Sequence, residues 1–152
     1  MSEASNEQVQ HAYEAYTKHT LQTAVNYIEG DPAVDTIWIY TLISHGALET
    51  TAFFRFNGKF VDAYDLAEAD ANRDYDPHQL VSDLARDEHR ALGKALKLLP
   101  QPPERIITTY NPQSGEVKGD WDYGGVILDE DDTPGRARDR WITSMGGTPL
   151  LT

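Results

Sequence analysis

Asp120 and Asp122 stand two residues apart in a stretch that reads as a strand, so their carboxylates share one face. Asp62 and Asp65 make a second close pair. Two carboxylates held together could act as general acid and general base in a hydrolysis. Nothing around either pair marks a pocket or a raised pKa. The run Asp129-Glu130-Asp131-Asp132 invites a calcium loop, yet Pro134 sits where such a loop needs its glycine. Arg140 sits where the closing glutamate belongs. The five histidines (His11, His19, His45, His78, His89) form neither a His-x-x-x-His pair nor a His-Glu-x-x-His helix. Ser44-His45 lacks the glycines of a nucleophile elbow, and there is no phosphate-binding glycine loop. No cysteine is present, which removes disulfides, thiol catalysis and thiolate zinc sites. The expectation is a protein that is not an enzyme and has no metal and no cofactor.

The acids matter more as charge. The 152 residues carry a formal charge of −12. Asp62 to Asp76 holds six acids against Arg73 alone, and Asp120 to Asp132 holds six more with no base. The rest of the chain is close to neutral. Charge concentrated in this way steers partners of opposite sign. It also argues against a nucleic-acid backbone or an anionic membrane as the main partner. No apolar run approaches the roughly 20 residues that span a bilayer. The start, Met1-Ser2-Glu3-Ala4-Ser5, lacks a signal-peptide pattern, so a soluble cytoplasmic protein is the expectation.

These residues must be positioned by a small α+β domain. Apolar spacing of three and four predicts a helix over residues 6–28, ended by Gly30-Asp31-Pro32. Val34 to Ser44 reads as a strand with Ile37, Ile39 and Ile43 on one face and Trp38, Tyr40 and Leu42 on the other. Asn57-Gly58 predicts a two-residue hairpin pairing Phe56 with Lys59, Arg55 with Phe60, Phe54 with Val61 and Ala52 with Ala63. Neither hairpin face is cleanly polar, so a helix or a chain end should cover part of the second. Asp76-Pro77-His78-Gln79 opens a second helix whose stripe is Leu80, Leu84, Leu92, Ala95, Leu96 and Leu99. Residues 105–110 and 116–123 read as two more strands. Thr133-Pro134 starts a short helix through Trp141, and Gly146-Gly147 should loosen the C-terminus. The order α-β-β-β-α-β-β-α implies one domain: an antiparallel sheet of about five strands with helices packed on it. Whether the stretch after Gly125 is ordered stays open, as does the oligomeric state.

Asp120-Trp121-Asp122-Tyr123 has two readings. The simpler buries both rings in the core, with the acids on the other face. The other leaves a ring at a rim beside acids, the composition of an interface hot spot. Arg136, Arg138 and Arg140 are the counterweight, because they can neutralise the acidic loop within the molecule.

The layout from about Thr36 to Tyr123 resembles the YezG-like family of bacterial immunity proteins, which neutralise polymorphic toxins. The resemblance lies in Trp38-Ile39-Tyr40, the hairpin Phe53-Phe54-Arg55-Phe56, a leucine- and acid-rich helix, and a strand pair ending in Asp120-Trp121-Asp122-Tyr123. A long N-terminal helix and a charged tail after Gly125 depart from it. The resemblance implies an antitoxin with no chemistry of its own, blocking a toxin with a basic surface such as a nuclease domain. Charge supports the same expectation, because a groove that holds phosphates is positive. The expected contacts are Asp120, Asp122, Tyr123, Asp129, Glu130, Asp131 and Asp132, with Asp62, Asp65 and Asp70 as a second patch. The alternatives are a general adaptor domain that binds through its aromatics, and a small metal-dependent enzyme.

Overall fold

The computed structural model describes residues 6–44, 47–70, 73–87 and 103–149. Five antiparallel strands form one sheet in the order β3-β2-β1-β4-β5: β1 (Val34–Ser44), β2 (Ala47–Phe56), β3 (Lys59–Asp62), β4 (Arg105–Tyr110) and β5 (Val117–Asp122). Four helices accompany it among the described residues: α1 (Asn6–Ile28), α2 (Ala63–Ala69), α3 (Pro77–Asp87) and, in our numbering, α4 (Pro134–Ser144). The α+β class is as the sequence implies. The predicted residues Leu92, Ala95, Leu96 and Leu99, together with His45 and His89, lie outside the described residues.

β1 is central, and side-chain alternation gives it two apolar faces. Ile37 and Ile39 look toward α1 and α3, where Leu21, Ala24, Ile28, Leu80 and Leu84 join Ala52 and Phe54 in one core cluster. Trp38, Tyr40 and Leu42 look the other way, with Phe53 and Ile107, and are covered by Ala137 and Ile142 of α4 and by Val126. Trp141 closes that second layer, its ring 5.0 Å from Tyr40, 5.3 Å from Phe53 and 5.5 Å from Phe60. A helix therefore does cover the second face of the hairpin. The stretch after Gly125 supplies the roof.

One polar tie crosses the first face. The Tyr16 hydroxyl, on a 1% exposed side chain, bonds the Thr41 hydroxyl and, at 2.9 Å, the hydroxyl of its cross-strand neighbour Thr50. A buried hydroxyl must be satisfied, so this contact sets where α1 sits along the sheet. At the far end of α1, Arg73 Nη1 and the Tyr75 hydroxyl donate to the Ile28 carbonyl, at 2.8 Å and 3.2 Å, beside the Asp31 amide at 2.9 Å. Asp31 holds both donors, through a bond from Tyr75 at 2.8 Å and an ion pair with Arg73 at 3.5 Å.

The hairpin register agrees with expectation for three pairs, with Asn57 and Gly58 both at positive φ. The fourth, Ala52 with Ala63, does not form. Asp62 turns the chain by accepting the Asp65 amide at 2.7 Å, which caps α2 and makes Ala63 its first residue. The C-terminal glycines also differ from expectation. Gly146 (φ +87°) sends its amide to Thr143 O and Gly147 sends its amide to Ile142 O, a Schellman ending to α4. That turn presses Gly147 onto the hairpin instead of loosening the chain. A Cβ there would lie 2.5 Å from Phe60 Cδ1 and 2.7 Å from Ile142 Cγ2. Gly147→Ala should therefore cost about 1–3 kcal/mol in denaturant unfolding. Gly124→Ala, with nothing within 4 Å, should stay within about 0.5 kcal/mol. Equal effects of the two would contradict the seating of the C-terminus on Phe60.

Candidate partner-binding surface

The strand order separates the two acidic stretches. Asp62 ends β3 and Asp120 and Asp122 lie on β5, at opposite edges of the sheet. Four strand spacings, about 19 Å, lie between those edges. The two stretches do not form one anionic face.

The first stretch is occupied by structural bonds. Asp62 caps α2 and Asp76 caps α3, accepting the Gln79 amide at 3.1 Å. Burial pushes the Asp62 carboxyl up, against the backbone donors at Asp65 and Tyr64. Asp70 shares a hydrogen bond with Asp31, which raises the Asp70 carboxyl. Burial acts to raise Asp31, but bonds from Asp70, the Ala33 amide and Tyr75, with the Arg73 charge, leave it lowered. Asp65 is exposed, but its carboxylate shares a hydrogen bond with that of Asp62. An open cleft of about 540 Å³ lies nearby between α1, α3 and the 73–76 segment. Tyr27 and Tyr75 stack in its wall at 4.8 Å, and its Arg73 is committed to the end of α1.

The second stretch is divided. Asp122 pairs with Arg105 at 2.9 Å. Asp132 is gripped by Arg140 at 2.6 Å and 2.9 Å and accepts the Leu128 and Thr133 amides. Arg138 pairs with Glu49 across the sheet, and Arg136 reaches the Asp131 carbonyl. Asp129 accepts the Asp131 amide, which shapes the turn. Among the described residues the carboxylates of Asp120, Glu130 and Asp131 meet no partner, and all three are exposed. No three His, Asp or Glu side chains there converge to hold a metal ion.

The rings of this segment are outside the core, which corrects the simpler reading. Trp121 is 41% exposed and Tyr123 57%, with centroids 6.5 Å apart. The reason is position. β5 is an edge strand, exposed along nearly its whole length, and Trp121 stands opposite Ile106 on the face that α1 covers. Tyr13 of α1 meets the Trp121 ring at 4.5 Å, and its hydroxyl is pushed up to about 12 by burial and then by Tyr123. Leu128, 65% exposed, and Val117, 51% exposed, extend the apolar area. Neither was expected from the sequence, although the place of Leu128 directly before an acidic run was an available signal. The segment thus carries exposed rings and aliphatic groups with three open carboxylates, Asp120 on the face of β5 opposite Trp121 and Glu130 and Asp131 in the loop after Leu128.

No family model matches the chain, and no curated protein matches it. Among the described residues no helix is long and apolar enough to cross a membrane.

The Asp132–Arg140 grip has a pH signature. Arg140 first, then the Leu128 and Thr133 amides, hold the Asp132 carboxyl well below the usual carboxylate range. The folded state therefore takes up this proton at lower pH than the unfolded chain, whose carboxyl titrates near about 3.9. The stabilisation is complete above about pH 4 and is lost as pH falls through the folded pKa. In a carboxyl-carbon NMR titration, Arg140→Met should raise the Asp132 midpoint toward about 3.9. An unmoved midpoint would contradict the grip.

Proposed function

We propose that this protein is an acidic immunity-type blocker that binds a toxin bearing a basic surface, without chemistry of its own. The observation that carries the reading is the strip from Asp120 to Asp131. It carries solvent-facing Trp121, Tyr123 and Leu128 together with Asp120, Glu130 and Asp131, whose carboxylates meet no cation among the described residues. Aromatic anchors beside open charge suit a protein interface, with the charge setting the association rate and the rings slowing dissociation. A nuclease groove of positive potential is the partner chemistry that fits. The likeness in layout to YezG-like immunity proteins supports the same reading.

The neutralised acids sharpen its test. Asp122 and Asp132 are paired within the molecule, so charge reversal belongs at Asp120, Glu130 and Asp131. Association with the product of the adjacent gene, followed by stopped flow, should slow with rising salt. The triple reversal to lysine should lower the on-rate by about tenfold or more, with the fold intact by circular dichroism. A salt-independent rate would exclude the acidic blocker. If Trp121→Ala abolishes binding while the triple reversal leaves it unchanged, the protein is an adaptor that works through its aromatics.

A further inference from the structure

We infer that β5 is also the contact through which two copies of this chain pair, edge to edge about a twofold axis at Gly119. Among the described residues β5 has a neighbour on one side only. The β4–β5 register runs unbroken from Arg105↔Asp122 to Tyr110↔Val117, and the Asn111 amide reaches Glu116 O at 3.0 Å just beyond it. Hydrogen-bonded and non-bonded pairs alternate along an antiparallel ladder. Lys118, Asp120 and Asp122 therefore turn their backbone groups toward β4, and Val117, Gly119 and Trp121 turn theirs outward. A second β5 can meet those outward groups only in registers that match odd positions with odd positions.

Charge selects among these registers. With Gly119 opposite Gly119, each Lys118 faces Asp120 of the other copy, and each Val117 faces Trp121. Two ion pairs form on one face of the joined sheet. On the other face, side chains now 51% and 41% exposed cover each other. A slide of two residues one way sets Lys118 against Lys118, and the other way sets Asp120 against Asp120. Like charges directly opposite are destabilising. A lysine on an edge strand ordinarily deters pairing, but here it has its counter-ion on an identical strand.

Net charge does not forbid the contact. The two acidic loops lie beyond Tyr123, at opposite ends of the paired strands. Four residues from axis to Tyr123 on each side set them roughly 26 Å apart, about three Debye lengths at physiological salt. Asp122, which would approach Glu116 of the other copy, is already paired with Arg105. An interface of one short edge is small, so the dimer belongs to the weak class, with a dissociation constant of roughly micromolar or above. This contact shares Asp120 and Trp121 with the blocking strip, so pairing and toxin binding would compete, and the chain alone tests the pairing.

The absence of cysteine makes the experiment clean. Gly119 has ordinary room for a side chain, its nearest neighbour being Trp121 Nε1 at 3.9 Å from an added Cβ. Under mild oxidation Gly119→Cys should form a disulfide dimer of twice the 17.0 kDa chain mass, at least about tenfold faster than Gln113→Cys in the exposed turn. Sedimentation equilibrium on the unmodified chain, up to about 1 mM, should show a monomer–dimer equilibrium. Lys118→Asp should abolish it, and the swap Lys118→Asp with Asp120→Lys should restore it. A monomer at every concentration overturns the inference. So does a dimer indifferent to Lys118→Asp, or cross-linking no faster at Gly119 than at Gln113.

Discussion

β1 cannot be left half-covered. Its side chains are apolar on both faces, from Ile37 and Ile39 on one to Trp38, Tyr40 and Leu42 on the other. Burying large side chains of this kind is worth roughly 1.5–3 kcal/mol each, so the sheet needs two roofs. α1 and α3 make one, and α4 with Trp141 makes the other. An 11-residue helix is only about 16 Å long. Centred over β1, β2 and the hairpin ring of Phe60, it leaves the far edge bare. Trp121 lies on the opposite face, in line with Ile106 and Thr41, where Tyr13 of α1 covers part of its ring.

The second roof also sorts the charges. α4 brings three arginines with it. Arg138 is spent on Glu49, Arg140 on Asp132, and Arg136 on the Asp131 carbonyl. With Arg105 on Asp122, internal cations remove the carboxylates nearest the body of the protein and leave those at the rim. The surface potential around β5 is therefore a residue of packing. The acids that stay open are the ones that no roof or strand partner needs, and these are the residues free to serve a partner.

Much of the architecture was legible in the sequence because side-chain parity constrains it. Asn57-Gly58 specifies a turn type, which sets the register of β2 against β3, and the two-faced apolar pattern of β1 requires a covered centre. α2 was hidden because seven residues with only Ala63 and Leu66 buried make no readable stripe. Its one signal is Asp62 as a cap, and the hairpin pattern reads that residue as strand. The separation of the two acidic stretches depends on strand order, and spacing along a chain does not carry that order. Likewise Val-Lys-Gly-Asp-Trp-Asp alternates like a half-buried strand wherever it lies, so the exposure of Trp121 appears only once β5 is known to be an edge. The role of the arginines was visible as a possibility, but which acid each one meets is a matter of tertiary contact. Arg138 passes the acidic loop altogether and crosses to β2.

The central claim is that the second face depends on α4. The most direct measurement is thermal unfolding, with near-ultraviolet circular dichroism and dye binding, of a chain cut after Asp132. Loss of α4 should strip Trp38, Tyr40 and Phe53 of their cover, abolish the cooperative transition and the near-ultraviolet signal, and leave a state that binds hydrophobic dye. A shortened chain that unfolds cooperatively at the full-length midpoint, without dye binding, would contradict it.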